Sequence, residues 1–256
     1  MPRTPDLQPN HHRPRAGPGA GFSVRKRENT YEASVFQEKQ ARPRPGGPGR
    51  AARAVGAELK ALLGEKSRSV LVAGLGNAQM TPDAIGPKST EHILVTRHLG
   101  ESPVFSALAA VSVLTPGVLG RTGIESLDLV RGAVRAVQPD ALIVIDALAS
   151  RSLSRLCTTV QLSDTGIVPG SGVGNSRQEF SRRTLGVPVV AVGVPTVMDA
   201  AGALQPALTR DMPQGLLVTL RDVDARVREM GRLVGYGCDL ALHRGLSLAE
   251  IPTFLS

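Results

Sequence analysis

Tryptophan is absent from this chain, aromatic residues make up only 3% of it, and cysteine occurs twice, at Cys157 and Cys238. A core must therefore be packed from aliphatic residues, and 41% hydrophobic residues in a chain of 256 are enough for one large or two modest domains. The two cysteines lie far apart without metal-ligand spacing, which favours buried thiols in a reduced, cytoplasmic protein. No apolar run reaches the ~20 residues of a membrane helix, and none follows the basic N-terminus, so we expect neither a membrane span nor a secretory signal.

The excess of positive charge is confined to the N-terminal part of the chain. Residues 1–68 contain 14 Lys and Arg against 6 Asp and Glu, whereas residues 69–256 contain 16 of each. Residues 1–50 are also rich in proline and glycine, a composition that cannot bury enough apolar surface to fold alone. We therefore expect a disordered basic tail over residues 1–50 and a helical lead-in over 51–68. The tail could bind an acidic partner or DNA, but solvated arms are more common and nucleic-acid binding is not expected.

From residue 69 onward, apolar segments alternate between strand and helix spacing. Residues 69–77 predict a buried strand that runs into a glycine turn, and residues 82–98 have the apolar spacing of a helix. Further strands are predicted at 104–114, 141–145, 158–162 and 187–194, with helices at 123–137 and 219–243. This alternation requires a mostly parallel sheet that is covered on both faces. The sequence thus predicts a three-layer α/β sandwich over residues 69–256.

Two aspartates, Asp83 and Asp146, occupy unusual settings. Asp146 ends an apolar run, where a buried strand delivers a side chain to the edge of a sheet, and Asp83 lies in the sequence Thr-Pro-Asp-Ala-Ile-Gly-Pro. A carboxylate in such a place is costly unless it has a partner or a role. Two of them in one fold indicate acid–base chemistry on water, as in a hydrolase. Two structural alternatives stay open: Asp83 caps a helix, or Asp146 only bonds the backbone at a strand end.

Eight short motifs follow one another along the chain. They are GLGN (74–77), TPDAIGP (81–87), VTRHL (95–99), PGVLG (116–120) with TGIE (122–125), IDALA (145–149), SDTGI (163–167), PGSGVGN (169–175) and GVPTV (193–197). In this order they resemble the germination proteases of endospore-forming bacteria. The resemblance covers residues 69 to about 200, and residues 222–246 resemble the C-terminal helix of that family.

The resemblance implies an endopeptidase that degrades small acid-soluble spore proteins in the spore core or forespore during germination. It implies a fold similar to the hydrogenase-maturation proteases, with Asp83 and Asp146 as the catalytic pair. It also implies an inactive precursor, or zymogen, that is trimmed at its N-terminus, and a homotetramer. In place of the long N-terminal region of the family, this chain has the tail rich in proline, glycine and arginine.

The expected mechanism needs no cofactor. Two carboxylates that share a site raise one pKa, so one aspartate acts as acid while the other acts as base on a shared water. We assign the base to Asp146, because a strand holds it rigidly, and the acid to Asp83. No histidine lies in a motif that matches a metal ligand, so a metal-free pair is predicted. The alternative is a non-catalytic or metal-dependent relative of the maturation proteases, in which the aspartates and a histidine hold a metal.

Substrate contacts are expected on the loops near these motifs. The glycine-rich segment 164–175 predicts a loop that lets a peptide backbone approach closely, although a plain connecting loop is the alternative. Its candidate substrate-binding residues are Asp164, Thr165, Gly170, Ser171, Gly172 and Asn175. The resemblance implies cleavage at sites flanked by acidic residues, and Lys88, Arg151 and Arg177 lie where they could pair with a substrate carboxylate. Arg151 is the first choice because it follows Asp146 closely.

Two other enzyme classes fit the sequence less well. Residues 164–166 spell the Asp-Thr-Gly motif of pepsin-like proteases, but those need two copies on a β-barrel fold. The glycine turn with His98 is similar to peptidyl-tRNA hydrolase, yet 24 residues separate Gly74 from His98, about twice the spacing in that family. His98 is better explained as a residue at the C-terminal end of a helix, which favours positive charge.

Overall fold

The computed structural model describes residues 22–27, 30–35, 47–65, 67–100, 105, 108–174, 177–200 and 215–255. The strands are β1 (Phe22–Arg27), β2 (Thr30–Val35), β3 (Ser69–Gly74), β4 (Ala110–Leu114), β5 (Ala141–Ser150), β6 (Thr159–Ser163), β7 (Val189–Asp199) and β8 (Leu217–Val218). The helices are α1 (Gly47–Leu63), α2 (Ile85–Thr90), α3 (Leu119–Thr122), α4 (Ser126–Val137), α5 (Arg182–Leu185), α6 (Val223–Leu242) and α7 (Ile251–Leu255). Among the described residues, 3-10 turns lie at Thr81–Asp83, Arg97–Leu99, Leu153–Arg155 and Ser171–Val173.

One sheet joins these strands in the order β1-β2-β6-β7-β5-β3-β4, and β8 pairs with β7. Strands β7, β5, β3 and β4 form its parallel centre. Strand β6 runs antiparallel to β7, and the β1–β2 hairpin continues the sheet from β6. Central parallel strands are buried on both faces, which explains why residues 141–145 are apolar without interruption.

Helices cover both faces of the sheet and create two apolar cores. Helices α1, α2 and α6 pack on one face, where Val55, Ile85 and Val234 are fully buried. Helix α4 packs on the other face and brings Leu127 against a cluster that includes Val144 of β5. The predicted three-layer α/β fold is thus confirmed, with a parallel centre and antiparallel strands on one side. Among the described residues, no helix has both the length and the apolarity to cross a bilayer.

The N-terminal part departs from the predicted disordered tail at residues 22–27 and 30–35. These residues form the β1–β2 hairpin, whose second strand pairs with β6 and so covers backbone groups that would otherwise lie on an open sheet edge. Main-chain pairing therefore orders a segment whose composition predicted no structure. The other residues before 47 lie outside the described residues. The helix expected over 51–68 begins at Gly47 and ends at Leu63, and it packs as part of the α/β domain.

The helix predicted over residues 82–98 is much shorter in the structure. Helix α2 ends at Thr90, and the chain then runs beside β4, because the Thr96 hydroxyl donates to the Ala109 carbonyl and accepts the Val111 N–H. Strands β5 and β7 are longer than predicted. Strand β5 runs on to Ser150, so Asp146 lies within the strand rather than at its end.

Candidate active site

Asp146 lies on β5, one residue beyond the point where the neighbouring strand β3 ends. Strand β3 ends at Gly74, which pairs with Ile145, so beyond that pair β5 has only β7 as a strand neighbour among the described residues. On β7, Asp146 is opposite Gly193, where an added Cβ would lie 2.3 Å from Cδ1 of Leu148. A side chain at Gly193 would therefore displace Leu148 from its place near Asp146. The position is the carboxyl edge of the β3 strand, where α/β proteins build their sites.

The carboxyl group of Asp146 is deeply buried, with 4% of the residue exposed. Its Oδ1 accepts the N–H of Ala147 at 2.9 Å, and it forms no ion pair with the described residues. Burial raises the pKa of Asp146 to about 7, the charge of Asp83 adds to this rise, and the Ala147 hydrogen bond opposes it. Asp146 therefore keeps a proton well above the pH at which an ordinary aspartate loses it.

Asp83 ends the 3-10 turn Thr81–Asp83 and is half-buried beside the same edge. Its Oδ2 accepts the N–H of Asn77 at 2.8 Å. Burial raises the pKa of Asp83, whereas the hydrogen bond from Asn77 lowers it by stabilising the ionised form. No side chain caps α2, whose N-cap residue is Ala84. The alternative that Asp83 serves as a helix cap is therefore wrong.

The turn that carries Asp83 depends on a glycine and on helix α6. Gly76 has φ +108°, and a Cβ there would lie 2.0 Å from the carbonyl oxygen of Asp83 and 3.2 Å from its Oδ1. Only glycine adopts this backbone conformation without strain and leaves that space free. On the other side, the Thr81 hydroxyl donates to Oδ1 of Asp224 at 2.6 Å, in the first turn of α6. The position of Asp83 is thus set by several separate segments.

The ionisation of Asp146 depends on Asp83. The charge of Asp83 contributes to the raised pKa of Asp146, so the two groups are close enough to influence each other. Asp146 is the more deeply buried group, whereas Asp83 has the backbone donor of Asn77. Burial thus favours the protonated form of Asp146, whereas the Asn77 donor favours the ionised form of Asp83. A base role for Asp146, expected from strand rigidity, would require this buried carboxyl to ionise.

Part of the glycine-rich loop lies near this pair. A Cβ at Gly172 would lie 2.8 Å from Cβ of Ala149, so the turn Ser171–Val173 packs against β5 three residues beyond Asp146. Gly170 precedes this turn with φ +72°. Ser171 and Gly172 are exposed, and Asn175 lies outside the described residues.

The structure does not bring Asp164 and Thr165 to the aspartate pair. Both follow the end of β6, which runs antiparallel to β7, and Ser163 pairs with Ala191 rather than with a residue beyond Gly193. They therefore lie toward the opposite edge of the sheet from Asp146. The Thr165 and Ser163 hydroxyls bond each other at 2.7 Å, as in a local turn. The direction of β6, which the apolar pattern does not encode, explains the difference.

The three candidate cations differ in what surrounds them. Lys88 forms an ion pair with Glu91 at 2.7 Å, and Arg177 lies 3.7 Å from Glu125. Arg151 is exposed directly after β5 and makes no ion pair or hydrogen bond with the described residues. Of these three cations, Arg151 is the one whose charged group is most available for a ligand.

The cysteines are buried, and the described residues contain no cluster of metal-ligand side chains. Cys157 and Cys238 are free and buried, as the sequence predicted, and burial raises the pKa of the Cys157 thiol to about 11. Within the described ranges, no three His, Cys, Asp or Glu side chains are grouped closely enough to hold a metal ion.

Gly76 and Gly193 have no role predicted from the sequence, although both belong to the motifs given above. Gly76 lies in GLGN and Gly193 in GVPTV. The signal was present as glycine next to an apolar strand, which indicates close approach of another segment. It does not say which segment approaches, and the structure supplies that partner: Asp83 for Gly76 and Leu148 for Gly193.

Comparisons with known proteins agree with the motif order. A family model described as "Germination protease" matches residues 48–212, a range that contains both aspartates. A germination protease of Bacillus velezensis is 54% identical over 147 residues, 56% of this chain and 40% of that protein. One of Caldanaerobacter subterraneus is 39% identical over 230 residues, 75% of this chain and 71% of that protein.

The matched region covers only part of the length of several relatives. The match spans about two fifths of the Bacillus velezensis, Geobacillus and Priestia megaterium relatives. Among solved structures, a [NiFe] hydrogenase maturation protease HycI from Thermococcus kodakarensis is 16% identical with a TM-score of 0.41, covering 71% of this chain and 98% of that one.

Proposed function

This chain belongs to the germination protease family, and from that membership we propose that it is an endopeptidase in which Asp83 and Asp146 hydrolyse peptide bonds of small acid-soluble spore proteins. The observation that carries the proposal is the coupled carboxyl pair at the sheet edge. Asp146 is 4% exposed with a pKa near 7, and the charge of Asp83 contributes to that value. A pair with one acid and one base near neutral pH is what hydrolysis by an activated water needs.

The roles follow from the proton distribution. The ionised carboxylate of Asp83 takes a proton from water as the water oxygen attacks the peptide carbonyl carbon. The carboxylic acid of Asp146 gives its proton to the leaving amide nitrogen as the C–N bond breaks. The pair ends with the proton on Asp83 and the charge on Asp146, and transfer of that proton restores the starting state. These proposed roles are the reverse of those expected from strand rigidity, and the burial of Asp146, which favours its protonated form, supports them.

The test of this proposal is cleavage of a purified small acid-soluble spore protein, with products identified by mass spectrometry. Asp83→Asn and Asp146→Asn should each lower kcat by about 10²–10⁴-fold, the usual contribution of a general acid or base. Asp128→Asn is the matched control, since Asp128 is an exposed residue of α4 that pairs only with Arg131 in the described structure. Cleavage that survives both changes would end the dyad proposal.

For substrate binding we propose Arg151 together with Ser171 and Gly172. Arg151 has no partner among the described residues, and the turn at Gly172 packs on β5 beyond Asp146. A guanidinium in this place suits a carboxylate of the substrate. Arg151→Ala should raise KM for peptides with an acidic residue beside the cleavage site and leave KM for neutral peptides unchanged. Arg177→Ala is the control, because Arg177 already faces Glu125; equal loss on both peptides with Arg151→Ala contradicts this role.

The resemblance also supports a homotetramer, action in the spore core or forespore, and an N-terminally trimmed precursor. We propose these as properties of the assembled enzyme. Sedimentation of the purified chain tests the first, with a tetramer expected and a monomer at micromolar concentration contradicting it.

A further inference from the structure

Thr196 is a buried polar residue that the mechanism above does not use. It lies on β7 with 0% of its surface exposed. The register of β5 and β7 shifts at this point, since Leu148 pairs with Pro195 and Ala149 with Val197, so Thr196 is the extra residue of a β-bulge. Bulges redirect a side chain away from the regular alternation and occur often beside active sites.

The hydroxyl of Thr196 bonds the turn that carries Asp83. Its Oγ1 donates to the carbonyl oxygen of Pro82 at 2.6 Å. The carbonyl oxygen of Thr196 in turn accepts the hydroxyl of Thr219 at 2.6 Å, next to β8. Loss of the hydroxyl of the fully buried Thr196 would remove this donor from the carbonyl of the half-buried Pro82.

This contact connects the turn that carries Asp83 with the strand that pairs with Asp146. Pro82 directly precedes Asp83, and β7 is the strand that pairs with Asp146 through Gly193. Among the described residues, the other side-chain hydrogen bonds of the turn join it to the N–H of Asn77 and to Asp224 of α6, not to the sheet. Thr196 is therefore the anchor that fixes the turn relative to the strand opposite Asp146.

We propose that Thr196 is a positioning residue, whose hydroxyl ties the Thr81–Asp83 turn to the bulge of β7 and thereby holds the Asp83 carboxyl beside Asp146. Its effect on catalysis rests on the proposed peptidase function. Its effect on the carboxyl pair does not, because the coupling of the two groups exists without substrate.

The test compares Thr196→Val, which has nearly the same volume without the hydroxyl, with Thr196→Ser, which keeps the hydroxyl. Thr196→Val should lower kcat at least tenfold with little change in KM, since small misplacements of a catalytic group cost about 10²-fold. In carbon-detected NMR of the aspartate carboxyls, without substrate, the apparent pKa of Asp146 should fall because the charge of Asp83 is no longer held beside it. Thr196→Ser should restore both values.

Thr96→Val is the matched control for loss of a buried threonine hydroxyl. Thr96 bonds the edge strand β4, away from the aspartates, so this variant should lose stability without changing the Asp146 titration or kcat. If Thr196→Val does not fold, Thr219→Val takes its place, with shifts in the same direction but smaller.

Wild-type titration of Asp146 in Thr196→Val would overturn the proposal, as would a Thr196→Ser variant that behaves like Thr196→Val. If the wild-type chain cleaves nothing while Thr196→Val still shifts the titration, the peptidase function fails and the positioning role stands.

Discussion

Asp146→Asn should strongly slow cleavage and at the same time stabilise the folded protein. An ionised carboxylate in a buried site is held at a cost, and asparagine removes the charge while it keeps an oxygen for the Ala147 N–H. The pKa of Asp146 is raised from 3.8 to about 7, so the folded state binds a proton that the unfolded state releases between these values. Stability contributed by this group is therefore fully present below pH 3.8 and is lost as pH rises through 7.

The magnitude follows from that pKa difference. Above pH 7 the cost of ionising Asp146 is about 4 kcal/mol, and asparagine relieves it. For a chain of this size, this corresponds to a Tm about 10 °C higher at pH 8. At pH 4 the variant and the wild type should unfold within about 2 °C of each other.

The assay is thermal unfolding followed by circular dichroism from pH 4 to pH 8, with Asp128→Asn as the control for loss of one carboxylate. The exposed Asp128–Arg131 pair should change stability by less than about 0.5 kcal/mol at any pH. An Asp146→Asn variant less stable than wild type at pH 8, or one with the same gain at pH 4 and pH 8, would refute the reasoning.

Three further outcomes are expected. Gly76→Ala should remove activity and lower Tm, because φ is +108° and the added Cβ would lie 2.0 Å from the Asp83 carbonyl oxygen; wild-type kcat in this variant would show that the turn is not fixed there. Gly172→Ala should raise KM by displacing the loop from β5, whereas Gly120→Ala, with no atom within 4 Å of the added Cβ, should not; steady-state kinetics decides. The two buried cysteines should resist a thiol reagent at pH 8 until the protein unfolds, since the pKa of Cys157 is about 11; fast labelling of the native protein would contradict their burial.

The sequence predicted the layers of the fold correctly, and it singled out the two aspartates as candidates, because both inferences depend on local patterns. The uninterrupted apolar run before Asp146 specifies a strand buried on both faces, and the motif around Asp83 follows a glycine turn at the end of another strand. Parallel neighbours then bring the ends of such strands to one edge. The order of strands and motifs along the sequence is sufficient to predict that these strand ends meet at one edge.

Strand direction, strand register and burial depend on contacts between distant segments of the chain. The features that follow from them could not be predicted from the sequence. Asp164 and Thr165 were expected near the site, but β6 runs antiparallel and carries them toward the opposite edge. The bulge at Thr196 depends on how β5 and β7 pair, which no spacing in the GVPTV motif reveals. The location of the proton depends on which carboxyl loses more solvent, and the structure places Asp146 deeper than Asp83.

The pH dependence of kcat/KM for cleavage of a small acid-soluble spore protein tests the central claim most directly. With Asp83 as the ionised base and Asp146 as the protonated acid, activity should rise as Asp83 ionises and fall as pH passes about 7, the pKa of Asp146. Activity that stays constant from pH 6 to pH 9, or a falling limb that persists in Asp146→Asn, would contradict the assignment of these two aspartates as the catalytic pair.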